Sequence, residues 1–213
     1  MFTTRRFYID QFLFKYDYLF KGTIIDIGGI KVKPRGNYKF SETLKNSIKF
    51  LNNNPITKPD YLFSIEQKLD LKKKFDVIIM NEVIEYIDNI DKALGNVSDL
   101  SKKDTFLIIT WPWMNTFHGD KEYDFKRYSK VYIEKKLIEI GFNSLYVENN
   151  GGFFSVIWDF LHRINQENDN LIKRKLINLF LILTFDLAIN LDKLINTSNK
   201  VTTGFTLISQ KIK

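Results

Sequence analysis

Three blocks of the chain, residues 23–28, 75–80 and 105–110, are apolar almost without interruption. Runs of this kind, rich in Ile and Val and closed by Gly or Pro signals, predict strands buried on both faces, as in a parallel sheet covered on two sides. Weaker strand signals lie at residues 48–51 and 61–64, separated by a turn containing Pro55 and Pro59. Between them and after them the period changes. Ile90, Ala93, Leu94, Val97 and Leu100 recur at three- and four-residue spacings and predict a helix over 88–100. A second helix is predicted from Ser129 as N-cap, with Ile133, Leu137 and Ile140 on one face and Gly141 as its stop. Residues 143–148 read as a sixth strand and residues 204–212, through Phe205 and Leu207, as a seventh. Strands alternating with helices imply an α/β domain with a doubly covered sheet.

The alternation breaks at residues 151–199, which read as a mostly helical insertion before the last strand. Its apolar block, 176–191, contains Asn178, Asp186 and Asn190 and falls short of the about 20 apolar residues of a membrane span. Three readings stand for 171–191: packing on its own domain, a homodimer contact, or peripheral membrane contact in the interface, the last favoured by Lys173-Arg174-Lys175 just before it. At the other end, residues 1–22 form an N-terminal helix in which Asp10, Gln11, Lys15 and Asp17 interrupt the apolar positions, so no signal peptide is expected.

With 213 residues the chain suits one domain able to bury a core without staples. The absence of cysteine removes disulfides, thiolate metal sites and cysteine nucleophiles, and fits a cytoplasmic location. No metal site is expected. The net charge of +7 comes mostly from lysines dispersed along the chain, with no nucleic-acid motif among them, so no nucleic-acid partner is expected.

The most informative stretch is 74–87, Lys-Phe-Asp-Val-Ile-Ile-Met-Asn-Glu-Val-Ile-Glu-Tyr-Ile, in which a buried strand runs directly into Asn81, Glu82 and Glu85. In open α/β sheets ligands bind beyond the carboxyl ends of the strands, so these side chains fall where a cofactor or substrate is handled. Glu85 has a second reading, as a cap for the helix that starts near Asp88. Gly28 and Gly29, after the first strand, permit a sharp turn and close approach of the backbone to a ligand.

Taken in order, Ile24-Ile25-Asp26-Ile27-Gly28-Gly29, Phe75 to Tyr86, and Phe106-Leu107-Ile108-Ile109-Thr110-Trp111-Pro112 resemble the class I S-adenosylmethionine-dependent methyltransferases. Residues 118–129, running into a helix that ends at Gly141-Phe142, are similar to a bacterial type 11-like subgroup associated with polysaccharide and sugar modification. The resemblance implies a single Rossmann-like, doubly wound domain over 1–213 with a seven-stranded sheet of order 3-2-1-4-5-7-6, the last strand antiparallel. It implies S-adenosylmethionine as cofactor and O-methylation of a sugar or glycan precursor, or another small molecule, as the reaction. Asp26 would orient the loop or meet the cofactor's ammonium group, Gly28 and Gly29 would let the backbone touch the cofactor, Asn81 would contact it facing the transfer site, Asn52 would bind its ribose, and Ser64 and Ile65 its adenine. His118 would take the acceptor's proton, oriented by Asp124, while Glu82 contacts the acceptor and Arg127 holds an anionic group on it. Asp124 and Arg127 have an alternative as a loop salt bridge, and His118 as a structural loop residue; His162 reads as a packing or surface residue. Two positions depart from the family. Ile30 and Lys31 stand where it usually has glycine, and Asn52 where it usually has an acid on the ribose. A non-catalytic scaffold or binding subunit is therefore the alternative. A nicotinamide-dependent oxidoreductase fits less well, since no Gly-x-Gly-x-x-Gly follows the first strand.

Overall fold

The structure, a computed structural model, describes residues 3–31, 36–45, 47–69, 71–116 and 122–212. Seven strands form one sheet: β1 (Ile24–Ile27), β2 (Ile48–Asn52), β3 (Tyr61–Leu62), β4 (Phe75–Asn81), β5 (Ser101–Pro112), β6 (Phe142–Asn150) and β7 (Gly204–Lys211). Their order is β3-β2-β1-β4-β5-β7-β6, and β7 alone runs against its neighbours, as expected.

The unbroken apolar runs are explained by what covers them. Along β1 and β4 successive side chains point to opposite faces, and both faces are buried. Ile25, Ile27, Ile78 and Met80 enter one core with Ala93, Leu94 and Val97 of α3 (Ile90–Leu100) and with Ile133 and Leu137 of α4 (Lys130–Glu139). Ile24, Val77 and Ile79 enter the other, with Ile9, Phe12 and Leu13 of α1 (Thr4–Lys15). Ser129 caps α4, accepting a hydrogen bond from the Tyr132 N–H at 3.3 Å, and Gly141 follows it at φ +81°. The cap of α3 is Asn89, whose side chain accepts from the Lys92 N–H at 3.1 Å. The capping role considered for Glu85 is thereby taken by another residue, because Glu85 lies in a 3-10 turn, Ile84–Tyr86, before the helix begins. β3 is shorter than the four residues expected: only Leu51↔Tyr61 and Asn52↔Leu62 are in register at this edge.

Between β6 and β7 the chain forms α5 (Phe153–Gln166) and α6 (Leu171–Ile195). Gly152, the N-cap of α5, has no side chain to offer, and Asp192 from the far end of α6 replaces it. Its carboxylate accepts from the N–H groups of Gly152 (2.8 Å), Phe154 (2.9 Å) and Ser155 (2.9 Å) and from the Thr197 hydroxyl (2.9 Å). Trp158 donates to the Leu181 carbonyl at 3.0 Å and stacks on the buried His162, which is thus a packing residue. The start of α1 is held by α5: Asp159 accepts from the N–H groups of Thr4 (2.7 Å) and Arg5 (3.2 Å).

Candidate functional site

Strand register decides which side chains meet. Asp26 lies opposite Ile79, Ile27 opposite Leu51, Asn52 opposite Leu62, and Asn81 opposite Thr110, so the carboxyl ends of β3, β2, β1, β4 and β5 form one crest. Two hollows flank the turn after β1, and Gly28, Ile30 and Glu82 border both.

The first hollow, about 450 Å³, is lined by Asp26, Gly29, Asn81 and residues of α1. Gly28 has φ +78°, and a Cβ there would sit 2.5 Å from a Val83 methyl; its N–H donates to the Leu51 carbonyl at 2.7 Å. A Cβ on Gly29 would collide with the carboxylate of Asp26. Both glycines are therefore required by space, and at Gly28 by backbone conformation as well. Loss of solvation pushes the Asp26 carboxyl up to about 7. Its Oδ1, and the Oδ1 of Asn81, are buried without a hydrogen-bond partner among the described residues. Buried acceptors are usually matched, so this pair is open to donors that the described residues do not supply.

The second hollow, about 570 Å³, contains Leu51, Asn52, Ser64, Ile65, Val83 and Tyr86 in its wall. Asn52 donates through Nδ2 to the Gly29 carbonyl at 3.1 Å and accepts through Oδ1 from the Asn54 N–H at 2.9 Å. Its amide ties the β1 turn to β2. Ser64 accepts from the Glu66 N–H at 3.2 Å, while Ile65 is buried in the core with its carbonyl accepting from Asn96 at 2.6 Å. Lys31, at one of the positions departing from the family, pairs with Asp60 at 3.4 Å.

Beyond β4 the candidate site is charged and its carboxylates are buried. Glu82 adopts φ +55°, uncommon for a residue with a side chain and typical of functional loops. Its N–H donates to the Thr110 carbonyl (3.0 Å) and hydroxyl (3.1 Å), and the same hydroxyl donates to its Oε1 at 3.1 Å. Its Oε2 forms an ion pair with Arg5 of α1, with both side chains less than a tenth exposed. Neither Arg5 nor Thr110 was expected at the site. Glu85 is buried nearby, and burial first, then the charge of Glu82, raises its carboxyl well above the usual range. Its carbonyl accepts from the N–H groups of Phe125 (3.0 Å) and Lys126 (3.3 Å), fastening the loop before α4 to the crest.

In that loop Arg127 grips Asp124 with both guanidinium nitrogens, Nη2 to Oδ2 at 2.7 Å and Nη1 to Oδ1 closer still. This is the loop salt bridge, and the Arg127 guanidinium is raised by it. A further hollow of about 480 Å³, lined by Trp113, Asn115, Thr116 and residues 124–127, lies on this side. His118 falls outside the described residues. The structure brings together Asp26, Gly28, Gly29, Asn81 and Glu82 around one hollow and Asn52, Ser64 and Ile65 around the next, with Arg127 on the third. Among the described residues no group of three or more His, Asp or Glu side chains is placed to hold a metal ion.

Residues 12–143 match the family described as a methyltransferase domain. The chain belongs to that family. No curated protein matches it in sequence. Among solved structures it is similar to a SAM-dependent methyltransferase from Archaeoglobus fulgidus, at 17% identity and TM-score 0.59, covering 97% of this chain and 94% of the other. It is also similar to the 1,6-didemethyltoxoflavin-N1-methyltransferase of Burkholderia thailandensis with bound S-adenosylhomocysteine (8% identity, TM-score 0.56, 99% and 79% covered). A third is the O-methyltransferase of a trans-AT PKS multienzyme of Brevibacillus brevis, also with S-adenosylhomocysteine (10% identity, TM-score 0.60, 96% and 72% covered). At these identities the likeness is one of fold.

Proposed function

We propose that this methyltransferase-domain protein moves the methyl group of S-adenosylmethionine to a hydroxyl of a sugar or glycan precursor. The observation that carries the cofactor reading is the pair of unmatched acceptors, Asp26 Oδ1 and Asn81 Oδ1, beside two glycines that admit no Cβ. Asp26 would accept from the cofactor's ammonium group, and Gly28 and Gly29 let the backbone lie against it. The second hollow fits the adenosine, with Asn52 at the ribose and Ser64 and Ile65 at the base. S-adenosylmethionine is the cofactor, and it supplies a methyl carbon activated by a positive sulfur, so catalysis rests largely on positioning.

The acceptor oxygen forms the new C–O bond as the C–S bond breaks. The bonding pair remains on sulfur, and the hydroxyl proton leaves to a base. Glu82, held at two points by Arg5 and Thr110, offers a fixed carboxylate to orient that hydroxyl. His118 is the proposed base and Arg127 the proposed contact for an anionic group. The sugar reading rests on the resemblance of residues 118–129 to polysaccharide-modifying relatives, and a cytoplasmic location suits such a precursor. Calorimetry should show S-adenosylhomocysteine binding, and a panel of sugars, nucleotide sugars and amines assayed with labelled methyl donor should show transfer to hydroxyls. No binding at millimolar ligand refutes the cofactor reading; transfer confined to amines refutes the acceptor reading alone.

A further inference from the structure

Helix α6 buries one face against its own domain through Leu181, Ala188, Ile189 and Asp192. Its opposite face is also apolar. Ile172, Leu176, Leu179, Leu183, Leu187 and Leu194 are all exposed, from 54% at Leu187 to 81% at Leu194. With Asn190 they follow spacings of 4, 3, 4, 4, 3 and 4. That is an 11-residue repeat, whose row drifts only about 20° per 11 residues, so over this length it stays on one side of the helix. The row is about 33 Å long at 1.5 Å per residue. Exposed Phe180 and Ile182 widen it, and α5 adds a second exposed row in Phe153, Ile157, Phe160 and Ile164. Exposed apolar rows of this length mark a contact site.

Charge indicates what covers it. Lys173, Arg174 and Lys175 follow the N-cap Asn170, and the first turn contains no acid. Cations at a helix N-terminus oppose the helix dipole, so they do not serve the helix itself. From 176 to 191 the only charged residue is Asp186. A row bordered by basic residues at its start and by Lys193 near its end suits an anionic apolar surface. A second copy suits it poorly. Antiparallel pairing about Leu183 sets Lys173 opposite Lys193 and Arg174 opposite Asp192, whose carboxylate is already taken by the start of α5, and parallel pairing sets residues 173–175 opposite themselves. Coiled-coil partners instead place opposite charges beside the seam. Among the described residues no helix is long and apolar enough to cross a membrane.

We propose that α6 lies in the interface of an anionic phospholipid bilayer, seated by its exposed leucine row and steered by Lys173, Arg174 and Lys175. The test is co-sedimentation of the full chain with vesicles of phosphatidylcholine alone or mixed with phosphatidylglycerol, alongside light scattering without lipid. The expected result is a monomer that binds mixed vesicles at least about tenfold more tightly than neutral ones, a preference removed by K173Q/R174Q/K175Q. Leu179→Gln with Leu183→Gln should abolish binding to both while leaving the circular dichroism melt unchanged; should that variant melt early, the basic-residue variant carries the test. A folded protein that binds neither vesicle overturns the proposal. So does a dimer that Leu183→Gln dissociates, or vesicle binding that neither variant weakens.

Discussion

Replacing Asp26 with Asn separates stability from ligand binding at one atom. Burial raises this carboxyl from 3.8 to about 7 in the folded chain, whereas the unfolded chain has no such burial. Between those values the folded state retains a proton that the unfolded state releases, so the stability present below about pH 4 is lost as pH rises through about 7. A shift of this size corresponds to about 4 kcal/mol at 1.36 kcal/mol per unit. Asp26 also borders the first hollow, where water screens it, and about 2 kcal/mol is the better expectation. Asn has the same shape and no charge. Without ligand, Asp26→Asn should match the parent near pH 3, below both values, and melt about 4–8 °C higher at pH 8, given 2–4 °C per kcal/mol in a chain of this size. Its affinity for S-adenosylhomocysteine should fall about 10- to 100-fold, as expected for losing a charged hydrogen bond. Melting curves at the two pH values, together with calorimetry, test both halves. A variant less stable than the parent at pH 8, or one that binds the ligand equally well, refutes the reasoning.

Three further outcomes follow from the geometry. Gly28→Ala forces a side chain into left-handed backbone against Val83, and should cost about 2–4 kcal/mol in urea unfolding with at least tenfold weaker ligand binding in calorimetry. Arg5→Met leaves Glu82 buried without its cation and should cost about 3–5 kcal/mol, while the double variant with Glu82→Gln recovers much of that; additive losses in a double-mutant cycle would contradict the pairing. Asp192→Ala frees three N–H groups at the start of α5 and should cost about 2–4 kcal/mol, read as a lower urea midpoint with an unchanged slope.

The sheet could be read from the chain because its central strands are buried on both faces, which leaves no polar alternation to confuse them with surface segments. Ser129 and Gly141 announced their helix because capping is a local interaction. The grouping of candidate residues was readable where it depends on strand ends: Asp26, Gly28, Asn81 and Glu82 are brought together by β1 and β4. Arg5 could not be found this way. Its partner is 77 positions along the chain, and α1 conceals the contact by burying the polar residues Thr4, Arg5 and Asp10 beside its apolar ones. Glu85 was ambiguous because a 3-10 turn and a helix start share the same acidic signal. Asn52 has the residue type of a ribose contact, and only the fold reveals that its amide also ties Gly29 to Asn54, with one N–H and one lone pair left over.

The tether between Asp159 and the start of α1 sets an order on the birth of the molecule. Thr4 and Asp159 are 155 positions apart, so at about 5–20 residues per second a ribosome needs about 8–30 s between making one and making the other. During that interval β1, β4 and β5 can pair and α3 can cover them, while the first N–H groups of α1 lack the carboxylate that accepts from them. β7, which must enter between β5 and β6, is made later still. The start of α1 can thus be anchored only after α5 has been made, although its strand partners precede α5 in the chain by tens of residues.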